Sequence, residues 1–204
     1  LWVYRSNDLQ AGPMFVVFDY RGGRSGEYAR QFLRYWEGHL LVDDFSGYKA
    51  LFSSERQEAN ACIELGCWAH SRRKFFDLHN ANGSPVALEA LKRIGKLYEI
   101  EQQGKTLSVG ERQNLRALKS KPILNEMFTW LTETRAKTAN GGGLAKALDY
   151  TLRRWSSLIR YAETGHLPID NNPVENTIRP AAIGKKNWLF VGSESAGVRG
   201  AAIQ

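Results

Sequence analysis

The chain has 204 residues, 43% hydrophobic and 24% charged, which fits one large globular domain or one domain with an insertion and excludes wholesale disorder. No apolar run approaches the ~20 residues that cross a bilayer, and Leu1–Arg5 lacks the basic start and long apolar stretch of a signal peptide. Twenty-eight Lys+Arg against 21 Asp+Glu leave +7, a balance that favours polyanionic partners without specifying one.

Cys62 and Cys67 are too few and too close for a disulfide framework, and no second pair completes a zinc site, so a reducing, cytoplasmic setting is expected. The first residues read as mid-strand with no initiator Met, as in a piece of something longer.

In chain order, Leu1–Arg5 and the apolar run Met14–Tyr20 read as an antiparallel strand pair joined by turn residues, the second strand buried on both faces. Ser25 caps a helix with Tyr28, Phe32, Tyr35 and Trp36 on its apolar face and Gly38 at its end. His39–Asp43 is a third strand, and Cys62–Trp68 a fourth that runs into a basic helix, Ala69 to His79. The order β-β-α-β-α-β-α predicts an α/β domain with a mixed sheet flanked by helices.

From Ser84-Pro85 onward the pattern is helical, with Leu88, Leu91, Ile94 and Tyr98 at helix spacing. Ser108-Val109-Gly110-Glu111 is a capping box followed by Leu115 and Leu118, and Pro122 predicts the end of that helix. Residues 84–140 therefore read as an all-helical insertion within a core of 1–83 and 141–204. Leu144, Leu148, Leu152, Trp155 and Ile159 predict one long helix ending at Gly165, with Lys146, Arg153, Arg154 and Arg160 on its solvent face.

Four constellations are candidates for chemistry. Asp43-Asp44 follows a buried strand, where α/β sheets place reactive groups; the competing reading is that Asp44 or Ser46 caps a short helix. In Asp170-Asn171-Asn172-Pro173-Val174-Glu175, Asn172 fits an N-cap with Glu175 at N3, so Glu175 is either a capping-box residue or a carboxylate facing a cleft. His70, Arg72, Arg73 and Lys74, interleaved with Trp68, Phe75 and Phe76, suit phosphate contacts, or a solvated basic face. Lys185 and Lys186 sit in a basic turn before the apolar run Trp188–Val191, as in a phosphate cradle or a surface hairpin. Acidic residues within a basic chain are the usual setting for Mg²⁺ or Mn²⁺, where two ions ~3.5–4 Å apart serve phosphodiester chemistry.

Five ordered motifs carry a resemblance. They are Phe18-Asp19-Tyr20 with Arg24-Ser25-Gly26, Val42–Tyr48, Gly66–Phe75, Asp170–Glu175 and Gly184–Phe190. Together they resemble the transposases of the insertion sequence sixty-six family over essentially the whole chain. The resemblance implies a ribonuclease H-like catalytic domain with an Asp-Asp-Glu triad, a two-metal Mg²⁺ or Mn²⁺ site, and cleavage and strand transfer at transposon ends. It makes Asp43 the second catalytic Asp and metal ligand, and Glu175 the Glu. The first Asp of the family precedes Leu1, so this piece alone is expected to be inactive, and Asp44 stands where the family usually has Gly. DNA at transposon ends and target is the implied partner, contacted by His70, Arg72, Arg73, Lys74, Lys185 and Lys186, with a homo-oligomer in the transposition complex and no membrane. The rival readings are a non-catalytic DNA-binding or assembly module and a nuclease without a transfer step.

Overall fold

The computed structural model describes residues 1–9, 13–52, 62–187 and 193–203 and is mixed α/β. Two compact units are present, Leu1–Glu64 with Asn171–Gln204, and Leu65–Asp170.

In the first unit, β1 (Trp2–Arg5) and β2 (Val16–Asp19) pair antiparallel, with Trp2 opposite Asp19 and Arg5 opposite Val16. Ser6 extends the ladder, its N–H donating to the Phe15 carbonyl at 3.0 Å. The second strand is not buried on both faces as its composition predicted: Val16–Asp19 are half-buried and Met14 and Phe15 exposed. Burial of both faces needs a packed layer on each side of a sheet, and the half-buried Val16–Asp19 lack that complete cover. Ser25 caps α1 (Gly26–Phe32), its hydroxyl accepting from the Glu27 N–H. The helix ends at Phe32, short of Gly38, which instead opens β3 (Gly38–Val42) at a φ of 113° that favours glycine.

β3 pairs with β4 (Cys62–Gly66). Among the described residues the four strands, each of four or five residues, thus form two separate ladders where the pattern predicted one mixed sheet. A 3₁₀ segment, Ser46–Phe52, follows β3. The core of this unit is aromatic: Trp2, Ala29, Leu33 and Leu51 are buried, with Tyr4, Tyr28, Leu40, Phe45, Tyr48 and Phe52 packed on them.

The second unit is helical. It holds α2 (Trp68–Asn82), α3 (Pro85–Gln103), α4 (Val109–Leu115), α5 (Lys121–Ala136), α6 (Gly143–Arg153) and α7 (Trp155–Ile159). Ser84 with Pro85 starts α3 as predicted, the Ser84 hydroxyl accepting from the Ala87 N–H. The buried stripe of α3 is Ala87, Ala90, Ile94, Leu97 and Ile100 rather than the Leu88, Leu91, Ile94, Tyr98 series. Two alanines in that stripe leave room for α2 to approach closely, and Leu88 turns outward.

Pro122 does not end its helix. Residues Arg116–Ser120 form a π turn in which the Lys121 N–H reaches back to the Arg116 carbonyl. The wider turn relieves the clash a proline imposes on the preceding turn, so the helix continues into α5. The predicted long helix after Gly143, by contrast, breaks at Arg154. The Arg154 carbonyl accepts from the Ser157 and Leu158 N–H groups and the Ser157 hydroxyl, starting a new helix, and Arg154 itself is buried rather than on a solvent face.

The first unit is completed by α8 (Asn172–Asn187) and α9 (Glu194–Ile203). Gly184, worth about 1 kcal/mol against a helix, does not end α8, so Lys185 and Lys186 lie on its last turn and not in a loop. The apolar run predicted at 188–191 lies outside the described residues. Among the described residues no helix is long and apolar enough to cross a membrane.

Candidate functional site

Asp43 leaves the end of β3 half-buried, and its Oδ1 accepts the Phe45 N–H at 3.1 Å. This Asx turn fixes the chain direction after the strand and does not engage Oδ2. Phe45 is held in turn by a ring triangle: its centroid is 6.2 Å from Trp2 and 5.6 Å from Tyr48, and Trp2 and Tyr48 are 5.8 Å apart, edge to face. The Tyr48 phenol is pushed up to about 12, chiefly by burial, with the Asp43 charge adding to the rise and Arg24 opposing it. The Asp43 carboxylate therefore stands on a rigid aromatic platform.

Two of the quoted motifs meet in this platform. A β-carbon on Gly26 would overlap the Gly47 carbonyl, and one on Gly47 would overlap the Phe45 ring and lie 3.1 Å from the Gly26 Cα. Glycine is required on both sides of this contact, which accounts for Arg24-Ser25-Gly26 and Phe45-Ser46-Gly47 as a matched pair.

Glu175 belongs to the same unit as Asp43 and is exposed in the first turns of α8. The Asn171 carbonyl accepts from the Val174 N–H at 3.0 Å and the Glu175 N–H at 3.1 Å. That makes Asn171 the N-cap and Glu175 the fourth helical residue, so the helix starts one residue earlier than predicted. A capping box needs its acid at N3, and Glu175 is one position past it.

The basic residues divide between the units. Arg72, Arg73 and Lys74 are exposed on α2 in the second unit, beside half-buried His70. The other face of α2 is core: Trp68 is fully buried and its Nε1–H donates to the Leu158 carbonyl at 2.8 Å, while Ser71 and Thr151 share a 2.8 Å hydroxyl bond. Gly66 is part of the same packing, since a β-carbon there would lie 2.9 Å from the Ser157 Oγ. Arg72 sits over Phe76 at 5.8 Å and Lys74 over Tyr150 at 5.2 Å, both still open to solvent. Arg73 meets Asp77 at 4.0 Å, an exposed pair of small energetic weight. Lys185 and Lys186 share α8 with Glu175.

One feature of the motif region has no signal in spacing. Asp170 is buried, and the Tyr98 hydroxyl donates to its Oδ2 at 2.7 Å. Burial first, and then the Asp170 charge, hold the Tyr98 proton far above its ordinary pKa. Tyr98 reads in the sequence as one more member of an apolar stripe, and only the tertiary structure supplies its partner.

Among the described residues no group of three His, Cys, Asp or Glu converges as a metal cluster. Asp43 and Glu175 do supply hard carboxylate oxygens, the donor type Mg²⁺ takes one or two at a time alongside phosphate oxygens and water.

Residues 1–199 match the family described as Transposase IS66 family, and the chain belongs to that family. Three proteins of Sinorhizobium fredii (strain NBRC 101917 / NGR234) are similar, each described as uncharacterized. Protein y4hP is 33% identical over 218 residues, covering 100% of this chain and 39% of its own length. Protein y4qI is 34% identical, covering 97% of this chain and 38% of its own length. Protein y4jD is 33% identical, covering 97% and 39%. The chain thus spans about two fifths of the curated relatives it matches. No solved structure is a significant match.

Proposed function

We propose that this chain is the catalytic region of a DNA transposase, cutting and joining phosphodiester bonds at transposon ends. The observation that carries the reading is family membership over residues 1–199. The presence of Asp43 and Glu175, remote in sequence, in one compact unit supports it. On this reading the core is ribonuclease H-like, made of 1–83 and 141–204, with 84–140 as a helical insertion.

Asp43 and Glu175 would hold Mg²⁺ or Mn²⁺ together with a third carboxylate of the family triad. The metal, when bound, activates the attacking oxygen and steadies the leaving one. The protein's own part is to fix its oxygens in advance. The Asx turn and the three-ring platform orient Asp43, and the first turns of α8 present Glu175 to solvent. Arg72, Arg73 and Lys74, exposed on α2, with His70 beside them and Lys185 and Lys186 on α8, are assigned to the phosphate backbone. Such contacts hold DNA without reading its sequence.

The test is cleavage of a duplex from the parent element's terminus by the full-length protein. Asp43→Asn or Glu175→Gln is expected to lower the rate by roughly 10³-fold, about 4 kcal/mol of barrier, while DNA affinity stays at the wild-type level. Wild-type cleavage in both variants would sink the catalytic assignment. A protein that binds DNA, supports transposition and never cleaves would instead be an assembly module.

A further inference from the structure

We propose that Arg24 is a phosphate-binding residue of the Asp43 site, gripping a phosphodiester of the strand held there. The inference deepens the transposase reading above and rests on it. It starts from the one quoted motif that the catalytic assignment leaves without a role, Arg24-Ser25-Gly26.

The glycine contact between Gly26 and Gly47 seats this motif directly on the turn that follows Asp43, with no room for a side chain on either partner. Arg24 is the residue this seating delivers. Its guanidinium carbon lies 5.5 Å from the centroid of the Phe45 ring, and the N–H of that same Phe45 holds the Asp43 carboxylate. One residue thus carries Asp43 on its backbone and Arg24 on its ring.

The charge of Arg24 is uncommitted. Arg21, three positions earlier, is ion-paired with Asp19 at 2.9 Å, and Arg5, Arg30, Arg93, Arg116 and Arg135 also have acidic partners. Among the described residues no carboxylate pairs with Arg24, and its side chain is exposed. A guanidinium resting on an aromatic face loses part of its conformational freedom while its N–H fork stays available in the ring plane's direction. Phosphate oxygens match that fork two at a time. A carboxylate repels a phosphodiester, and Arg24 adds a fixed positive charge on the same platform beside any metal that Asp43 would hold.

The packing role of Arg24 is slight by comparison. It covers one face of a ring already held by Trp2 and Tyr48.

The experiment measures binding of the full-length protein to a duplex from the element's terminus and to an unrelated duplex of equal length, across a salt series. Arg24→Met keeps the contact with Phe45 and removes the charge, and Arg24→Lys keeps the charge. Arg24→Met is expected to weaken binding to both duplexes several-fold and to lower the slope of log K against log salt by about 1. Arg24→Lys is expected to keep the wild-type slope, and all three proteins the wild-type melting temperature. An unchanged slope in Arg24→Met overturns the proposal, as does an equal loss in Arg24→Lys accompanied by a lower melting temperature. Cleavage by the wild type, scored in the same samples against Asp43→Asn, separates the two readings. Cleavage with an unchanged Arg24→Met slope removes the Arg24 contact alone. A changed slope without wild-type cleavage removes the nuclease reading and keeps the contact. Failure of the wild type to bind either duplex overturns both.

Discussion

Two arginines, one in each unit, are used in opposite ways. In the helical unit Arg116 is fully buried, with all three of its nitrogens hydrogen-bonded. Its Nε donates to Glu101 Oε1 at 2.8 Å and its terminal nitrogens to Glu101 Oε2 and to the Tyr161 and Thr164 carbonyls at 2.5, 2.8 and 2.6 Å. Arg112, one turn before, donates to the Gly104, Gly165 and Leu107 carbonyls. Burial and the neighbouring Arg116 lower its pKa, and the Glu101 charge opposes them. In the strand-bearing unit Arg24 is exposed and rests on a ring.

The contrast separates two uses of the same side chain. A buried guanidinium with all three nitrogens hydrogen-bonded ties segments together, here α4 and the π turn to the stretch after α7. An exposed guanidinium with its N–H groups unclaimed has binding capacity left over. Net charge cannot tell these apart: Arg112 counts toward the +7 excess while its N–H groups are spent on carbonyls inside the helical unit.

Arg116→Met breaks this comparison most severely. It strips a half-buried carboxylate and two carbonyls of their partner and leaves a buried site uncompensated, and is expected to cost about 3–5 kcal/mol, read as a lower urea midpoint. A neutral result would mean that Arg116 is dispensable to the unit. Gly26→Ala comes next. It drives a methyl group into the Gly47 backbone and is expected to cost about 1–3 kcal/mol, the usual range for overpacking. It is also expected to lower the cleavage rate, because the displaced turn carries Asp43. A stable, fully active Gly26→Ala protein would show that the two motifs need not touch.

The smallest effect is expected at the capping box, where the Ser108 hydroxyl accepts from the Glu111 N–H at 3.3 Å and donates to Glu111 Oε2 at 2.6 Å. Ser108→Ala is expected to cost about 1 kcal/mol at neutral pH. The Ser108 hydroxyl and N–H hold the Glu111 carboxyl below its ordinary pKa. A depressed folded value contributes stability above the unfolded pKa and loses it as pH falls through the folded one. The wild-type advantage over Ser108→Ala is therefore expected to shrink on acidification below the ordinary carboxylate range, which paired denaturation curves would show.

Local chemistry written in neighbouring residues was legible in the sequence. The Ser25 and Ser84 caps, the Ser108–Glu111 box and the Trp2–Arg5 hairpin partner all depend on contacts within about twenty residues, and the strand leading to Asp43 was legible from its apolar run. Five ordered motifs also sufficed for the family. What the sequence could not settle was which way a helix faces when its polar residues have distant partners. Leu115 and Leu118 read as the apolar side of their helix, yet Leu118 is 77% exposed and Arg116 0%. The inversion is decided by Glu101, Tyr161 and Thr164, which lie 15, 45 and 48 positions away and together satisfy the guanidinium. Pro122 was tolerated for a related reason, because the π turn that buries Arg116 also makes room for the ring. Periodicity weighs each residue by its own hydrophobicity, and a buried charge becomes affordable only through partners that folding brings to it.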